Sequence, residues 1–283
     1  MSGLTILLLS TVTLSAPLIL AAMGGFTSER GGVINIALEG KMLMAAAATA
    51  LVGLGTHSAP FGLLAGIGAA IVMSLLHWLI TQSFRVDHVV SGMAINAIAL
   101  GGTNFLDKAF TDPAHAGEIP KFPLEAYYVL AVLVPLALWF AARRTRPGLH
   151  LLAVGSDPDK ARQMGVAPLR VRFFGLLATG VLCGLAGAML VTNAGRFTDG
   201  MTSGRGFIAL AALILGGWRP IPGALACVGF GFATALQLQM QGTELAGARI
   251  PSEVWQVLPY VVTVIALAGA LGKSRAPAGL GKL

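Results

Sequence analysis

Asn35 and Glu39 stand four residues apart in Ser28 to Met44, SERGGVINIALEGKMLM, a stretch that otherwise reads as the start of an apolar span. If a helix begins near Gly32, that spacing puts both on one face. A rise of about 1.5 Å per residue then carries Glu39 roughly 10 Å into a membrane. A carboxylate at that depth is expensive unless it meets a partner or a water-filled path. It has two uses there: lining or gating a pathway, or anchoring a polar network that pins a broken helix. Lys41 lies two residues beyond Glu39 and points away from it, so it is expected to snorkel or to pair with another subunit. Further polar residues sit inside apolar segments: Ser91, Asn96 and Asn104 within HVVSGMAINAIALGGTNF, then Gln237 and Gln239. Amides both donate and accept. They suit a neutral polar solute, such as a nucleoside or a sugar, and they suit bonds between helices equally well.

No catalytic set accompanies these residues. His57, His77, His88, His115 and His150 are scattered without paired metal spacing. No glycine-rich loop with Lys and Ser/Thr is present to hold nucleotide phosphates. Cys183 and Cys227 lie in apolar segments and read as small packing residues rather than a disulfide or metal pair. An ion-coupled carrier would more often show several acids inside its spans, whereas Glu39 is nearly alone.

The elements that must position these residues are apolar helices. Hydrophobic residues make up 55% of the chain and charged residues 11%, about half the charged fraction of a soluble domain. The expected fold is therefore all-α, a polytopic transmembrane bundle of about eight or nine spans forming one domain over 1–283. A span needs about 20 apolar residues. Candidates are 4–23, 33–55, 60–83, 89–106, 126–142, 172–191, 205–217, 221–240 and 254–272. The first lacks a basic leader and reads as a retained span rather than a signal peptide. Segment 33–55 carries Asn35, Glu39 and Lys41, and 205–217 is short and begins at Arg205. These two are expected to be broken, short or tilted. Gly62/Gly66 and Gly180/Gly184 have the spacing that lets helix backbones approach closely.

Charge sets the sidedness. The stretch Arg143 to Arg172, RRTRPGLHLLAVGSDPDKARQMGVAPLRVR, holds seven of the 19 Lys and Arg residues, and the positive-inside rule places it in the cytoplasm. Counting spans from it puts Glu29, Arg30, Arg85, Arg219 and the C-terminal tail on the same side and the N-terminus outside. Charge clustered in one loop between spans is a topology signal, not a nucleic-acid footprint. Trp78, Trp139, Trp218 and Trp255 are expected as interfacial anchors. Within the loop, Pro147-Gly148 should end a span. Ser156 or Asp157 should cap a short helix, Pro158 to Met164, which Gly165 stops. A short capped helix parallel to the membrane suits docking into a cleft on a soluble partner.

VGSDPDKARQMGV, SERGGVINIALEG and GRGFIALAALILGGWRP together resemble the permease subunits of ABC importers. The class includes branched-chain amino acid, ribose and nucleoside permeases, and the nucleoside or simple-sugar group is most similar. The resemblance runs from about Ala16 to Ala268, with one departure: Lys41 stands where an apolar residue or Gly is expected. It implies a bacterial inner-membrane importer with an ATP-binding subunit, a second and different permease, and an extracytoplasmic binding lipoprotein. ATP and magnesium would sit on the ATPase, and this chain would bind no cofactor and no metal. By the resemblance, Asn35 to Gly40 lies beside the central pathway, and Asp159, Ala161, Arg162 and Gly165 touch the ATPase. With Ser91, Asn96, Asn104 and Gln237, Asn35 and Glu39 form the expected substrate pathway. The rival readings are an importer of sugars or branched-chain amino acids, an ion-coupled carrier acting alone, and a membrane enzyme, for which no nucleophile is available.

Overall fold

Proline begins much of this architecture. It occupies the first turn of five helices, where its missing N–H costs nothing and its fixed φ is already helical. In the computed structural model the helices are α1 (Gly3–Glu29), α2 (Leu38–Thr56), α3 (Ala59–Trp78), α4 (His88–Phe110) and α5 (Leu124–Arg144). They continue as α6 (Arg146–Ser156), α7 (Pro158–Gln163), α8 (Pro168–Ala194), α9 (Arg205–Leu215) and α10 (Pro220–Met240). Leu79–Ser83 extends α3 as a π-helical turn, and two strands of two residues, Glu244–Leu245 and Ala248–Arg249, pair antiparallel. The structure describes residues 3–110, 119–241 and 276–282, together with 244, 245, 248, 249, 255, 257, 261, 264 and 268.

Among these residues seven helices are long and apolar enough to cross a membrane: α1 to α5, with α3 including its π-helical end, then α8 and α10. The chain is thus a multi-pass helical bundle. Two expected spans fare differently from the rest. Segment 205–217 becomes α9, whose 11 residues rise only about 16 Å, short of a bilayer core. Segment 254–272 lies outside the described residues apart from five single positions.

α1 and α8 form the axis. From Ser15 to Glu29 every residue of α1 is buried, and α8 is buried along one whole face. α1 packs on α8, α9, α10 and α5, while α8 packs on α3 and α2. Glycine makes this closeness possible, as the small-residue spacing predicts. A methyl at Gly184 would lie 2.6 Å from the Cα of Ile67, and one at Gly180 would lie 2.8 Å from the Cα of Ile71. At Gly62 it would lie 2.8 Å from the Thr49 carbonyl oxygen.

The charged loop is more ordered than the sequence suggests. Pro147-Gly148 does not end a span. α5 has already stopped at Arg144, and Thr145 caps a new helix, α6, by accepting the Gly148 N–H at 3.3 Å. Gly148 lets α6 fold back, since a Cβ there would overlap the Ala141 carbonyl. The capped helix is present as α7, with Asp157 rather than Ser156 as its cap. Met164 is its C-terminal flank, and Gly165 follows at φ +84°.

Arg172 corrects a second expectation. It is 4% exposed, so it does more than mark a cytoplasmic loop. Its guanidinium donates to the Gly31 carbonyl at 3.2 Å, Gln82 Oε1 at 2.8 Å and the Lys282 carbonyl at 2.8 Å. It thereby ties α8 to the α1–α2 turn, the end of α3 and the C-terminal tail. Arg172→Gln removes a buried charge with three acceptors and is expected to cost about 2 kcal/mol or more. A fall of several degrees in thermal unfolding of the detergent-purified protein checks this.

Candidate functional site

Between α1 and α2 the helix is broken. Gly32, at φ +95°, turns the chain, and Val33 to Ala37 run as irregular backbone until α2 begins at Leu38. The helix therefore does not start near Gly32, and Asn35 and Glu39 share no helix face. Irregular backbone inside a bilayer must have its polar groups satisfied by protein. Asn96 of α4 meets that need. Its Oδ1 accepts the Gly40 N–H at 2.8 Å, and its Nδ2 donates to the Ile36 carbonyl at 3.1 Å. Because Asn96 lies two turns into α4, the first turn of α2 sits within the bundle.

Glu39, in that first turn, reaches across to α9. Its carboxylate oxygens accept the N–H groups of Gly204 at 2.7 Å and Gly206 at 2.6 Å. A carboxylate against the free N–H groups of a helix start also meets the positive end of the helix dipole. Gly206 is needed for the approach, since a Cβ there would overlap the Glu39 backbone. The span α2 and the short helix α9 thus begin at one junction, joined by one side chain.

Asn35 is buried on the other side of the break. It donates from Nδ2 to Ser28 Oγ at 2.9 Å and from its backbone N–H to Glu29 Oε1 at 3.1 Å. Its Oδ1 accepts from Lys41 Nζ at 3.1 Å. Lys41 is fully buried and lies 3.2 Å from His77 Nδ1 of α3. It neither snorkels nor faces another subunit, because the break turns Asn35 back toward it. The second oxygen of Glu29 accepts the indole N–H of Trp218. Trp218 is 6% exposed, so this tryptophan is a buried partner of the break and not an interfacial anchor. Trp139, by contrast, is partly exposed beneath Arg143.

The other expected pathway residues spread out. Ser91 is buried and donates to the His88 carbonyl in its own helix at 3.0 Å. Asn104, two turns beyond Asn96, faces the Asp199 carboxylate in the α8–α9 connection. Gln237 lies near the end of α10, which packs on α1, α9 and α5. The structure therefore gathers Asn35, Glu39 and Asn96 around the break and leaves Gln237 apart. Missed from sequence were Trp218, Gly206 and His77. The only signal for any of them was the glycine beside Arg205.

Below the break lies the second part of the site. Asp157 Oδ1 accepts the N–H groups of Asp159 and Lys160, both at 3.1 Å. The Lys160 N–H, with lesser help from its charge and the Asp159 N–H, holds the Asp157 carboxyl below the usual carboxylate range. Asp159 and Arg162 pair at 3.6 Å on the exposed face, and Ala161 is buried beneath them. Met164 is 83% exposed. Asp157→Ala removes the cap, so the amides of α7 are expected to exchange with deuterium faster while those of α8 do not change. The Gly279 N–H donates to the Gly155 carbonyl at 2.8 Å, and the Gly281 N–H donates to the Gly32 carbonyl at 2.9 Å. The tail therefore touches both the α6–α7 junction and the turn that opens the break.

A bundle of spans in which one span and one short helix begin at a break inside the protein is the build of a transmembrane transport subunit. Such breaks are tolerated at membrane depth where protein or a water-filled cavity surrounds them. The chain belongs to the family described as the branched-chain amino acid transport system / permease component, which matches residues 7–267. It is a permease component of an ABC importer. It is 37% identical to the guanosine ABC transporter permease protein NupQ of Bacillus subtilis (strain 168), over 97% of this chain and 94% of that one. It is 34% identical to the nucleoside ABC transporter permease protein NupC of Lactococcus lactis subsp. cremoris (strain MG1363), over 97% and 95%. Among solved structures, PsaBC from Streptococcus pneumoniae in complex with Fab superposes with a TM-score of 0.52 at 15% identity, over 95% of this chain and 91% of that one. That likeness shows the fold alone.

Proposed function

We propose that this chain is a pathway-forming permease of a nucleoside importer and that the junction of α2 and α9 is its moving part. The observation that carries the substrate is the near full-length likeness to two permeases named for guanosine and nucleosides. The amides of Asn35 and Asn96 are bonded within the protein, so the likeness and not the amides carries the substrate. Energy comes from an ATP-binding subunit that carries the ATP and magnesium and docks on α7, whose exposed Asp159, Arg162 and Met164 form a small mixed surface. A second, different permease completes the pathway, and an extracytoplasmic binding lipoprotein delivers the solute. The loop 143–172 and the tail face the cytoplasm of a bacterial inner membrane, and the N-terminus faces outside.

The mechanical route is short. ATPase closure moves α7, the tail joins Gly155 to Gly32 through two backbone bonds, and Gly32 opens the break that leads to Glu39. The substrate is tested by uptake of labelled guanosine in cells expressing the whole importer. Unlabelled nucleosides are expected to compete, and ribose and leucine are expected not to. Displacement by leucine or by a sugar, with nucleosides inert, would remove the nucleoside reading and leave the permease class intact.

A further inference from the structure

Three arginines surround a cavity of about 400 Å³ between the ends of α1 and α5 and the start of α10. Arg30 comes from the turn after α1, Arg143 from the end of α5 and Arg219 from the start of α10, with Trp139 and Trp218 as aromatic walls. No ion pair joins any of the three to a carboxylate among the described residues. The neighbouring acid, Glu29, is turned inward to Trp218 and Asn35. The Nε of Arg30 is buried without a hydrogen-bond partner. Arg143 stands 4.7 Å over the Trp139 ring, which aims it at the cavity wall. Burial, and after it the charge of Arg219, lowers the pKa of Arg30, as expected of cations held together without an anion.

Within a turn or two of the cavity lining, both α5 and α10 expose apolar side chains. Leu136 and Phe140 of α5 are 48% and 56% exposed, and Leu225 and Val228 of α10 are 65% and 40% exposed. Their spacing keeps each pair on one side of its helix. Guanidinium groups match phosphate in geometry as well as charge, and the apolar side chains match acyl chains. We propose that this cavity binds the phosphate of an anionic membrane phospholipid, with Arg30, Arg143 and Arg219 on the headgroup and the α5 and α10 faces on the chains. A basic pocket between spans on the cytoplasmic side is where such headgroups are held. The exposed apolar side chains favour lipid over a soluble anion.

The permease–ATPase complex, purified and stripped of lipid, is titrated with dioleoyl phosphatidylglycerol, with dioleoyl phosphatidylcholine and with glycerol 3-phosphate. Bound copies are counted by native mass spectrometry. Phosphatidylglycerol is expected to bind at least tenfold more tightly than phosphatidylcholine, and Arg219→Gln or Arg143→Gln to weaken it roughly fivefold each. Arg144→Gln, on the same helix but outside the cavity, is expected to bind as wild type does. Arg30→Gln should show the largest loss; if it fails to fold, Arg143→Gln carries the test. Equal binding of the two lipids overturns the proposal. So does competition by glycerol 3-phosphate as strong as that by phosphatidylglycerol, which would make the cavity a free-anion site. Loss of the ATPase from Arg219→Gln with lipid affinity unchanged also overturns it, since these arginines would then face the protein partner.

Discussion

Glu39→Gln is expected to reduce nucleoside uptake about tenfold or more while leaving the protein folded and its complex assembled. The carboxylate accepts two N–H groups at the start of α9. An amide keeps one acceptor and turns an NH₂ toward the other N–H, so one charge-assisted bond is replaced by two facing donors. Loss of such a bond costs about 1.5–3 kcal/mol, and each 1.4 kcal/mol is a factor of ten. Assembly survives because α9 also packs on α1 and α10, independently of Glu39. Yield, size-exclusion profile and ATPase co-purification check the second half of the prediction. Wild-type uptake would make the carboxylate a passive contact, and loss of the folded protein would make it purely structural.

Gly165→Pro is expected to abolish uptake while the complex still hydrolyses ATP. Gly165 sits at φ +84°, a conformation open to glycine and closed to proline, whose ring holds φ near −65°. Its N–H also donates to the Arg162 carbonyl at 3.0 Å, and proline has none to give. The chain leaving α7 must therefore change direction, and α7 shifts relative to α8 while the packing among the long spans is kept. Arg162→Glu is expected to act in the same direction by reversing charge on the exposed face. ATP hydrolysis and uptake are measured in the same proteoliposomes. Coupled transport at the wild-type ratio would remove α7 from the drive train.

Much of this architecture was legible in the chain. The apolar spans, the capped helix at Asp157 and Pro158, and the irregularity of 33–55 and shortness of 205–217 all follow from local rules of length, capping and charge. What stayed hidden depended on contacts between distant segments. Lys41 looked misplaced because a continuous helix would turn it outward; the break at Val33 to Ala37 turns Asn35 toward it instead. Trp218 read as an interfacial anchor because tryptophan near a span end usually is one, and nothing local announced Glu29 as its acceptor. Arg172 read as a topology charge because its three acceptors come from residues 31, 82 and 282. α6 is hidden because Pro-Gly after a span reads as a stop, whereas the Thr145 cap makes it a start.

The central claim is that the α2–α9 junction moves when the ATPase closes. Spin labels at Thr56→Cys, on the exposed far end of α2, and Ser203→Cys, exposed just before α9, report on it directly. The native thiols Cys183 and Cys227 are buried and do not compete for label. Distances are measured by double electron–electron resonance in the assembled importer, nucleotide-free and then trapped with ATP and vanadate. The separation is expected to change by about 2 Å or more on trapping and to stay fixed in Gly165→Pro. An identical distance distribution in both states of the wild type would contradict the account.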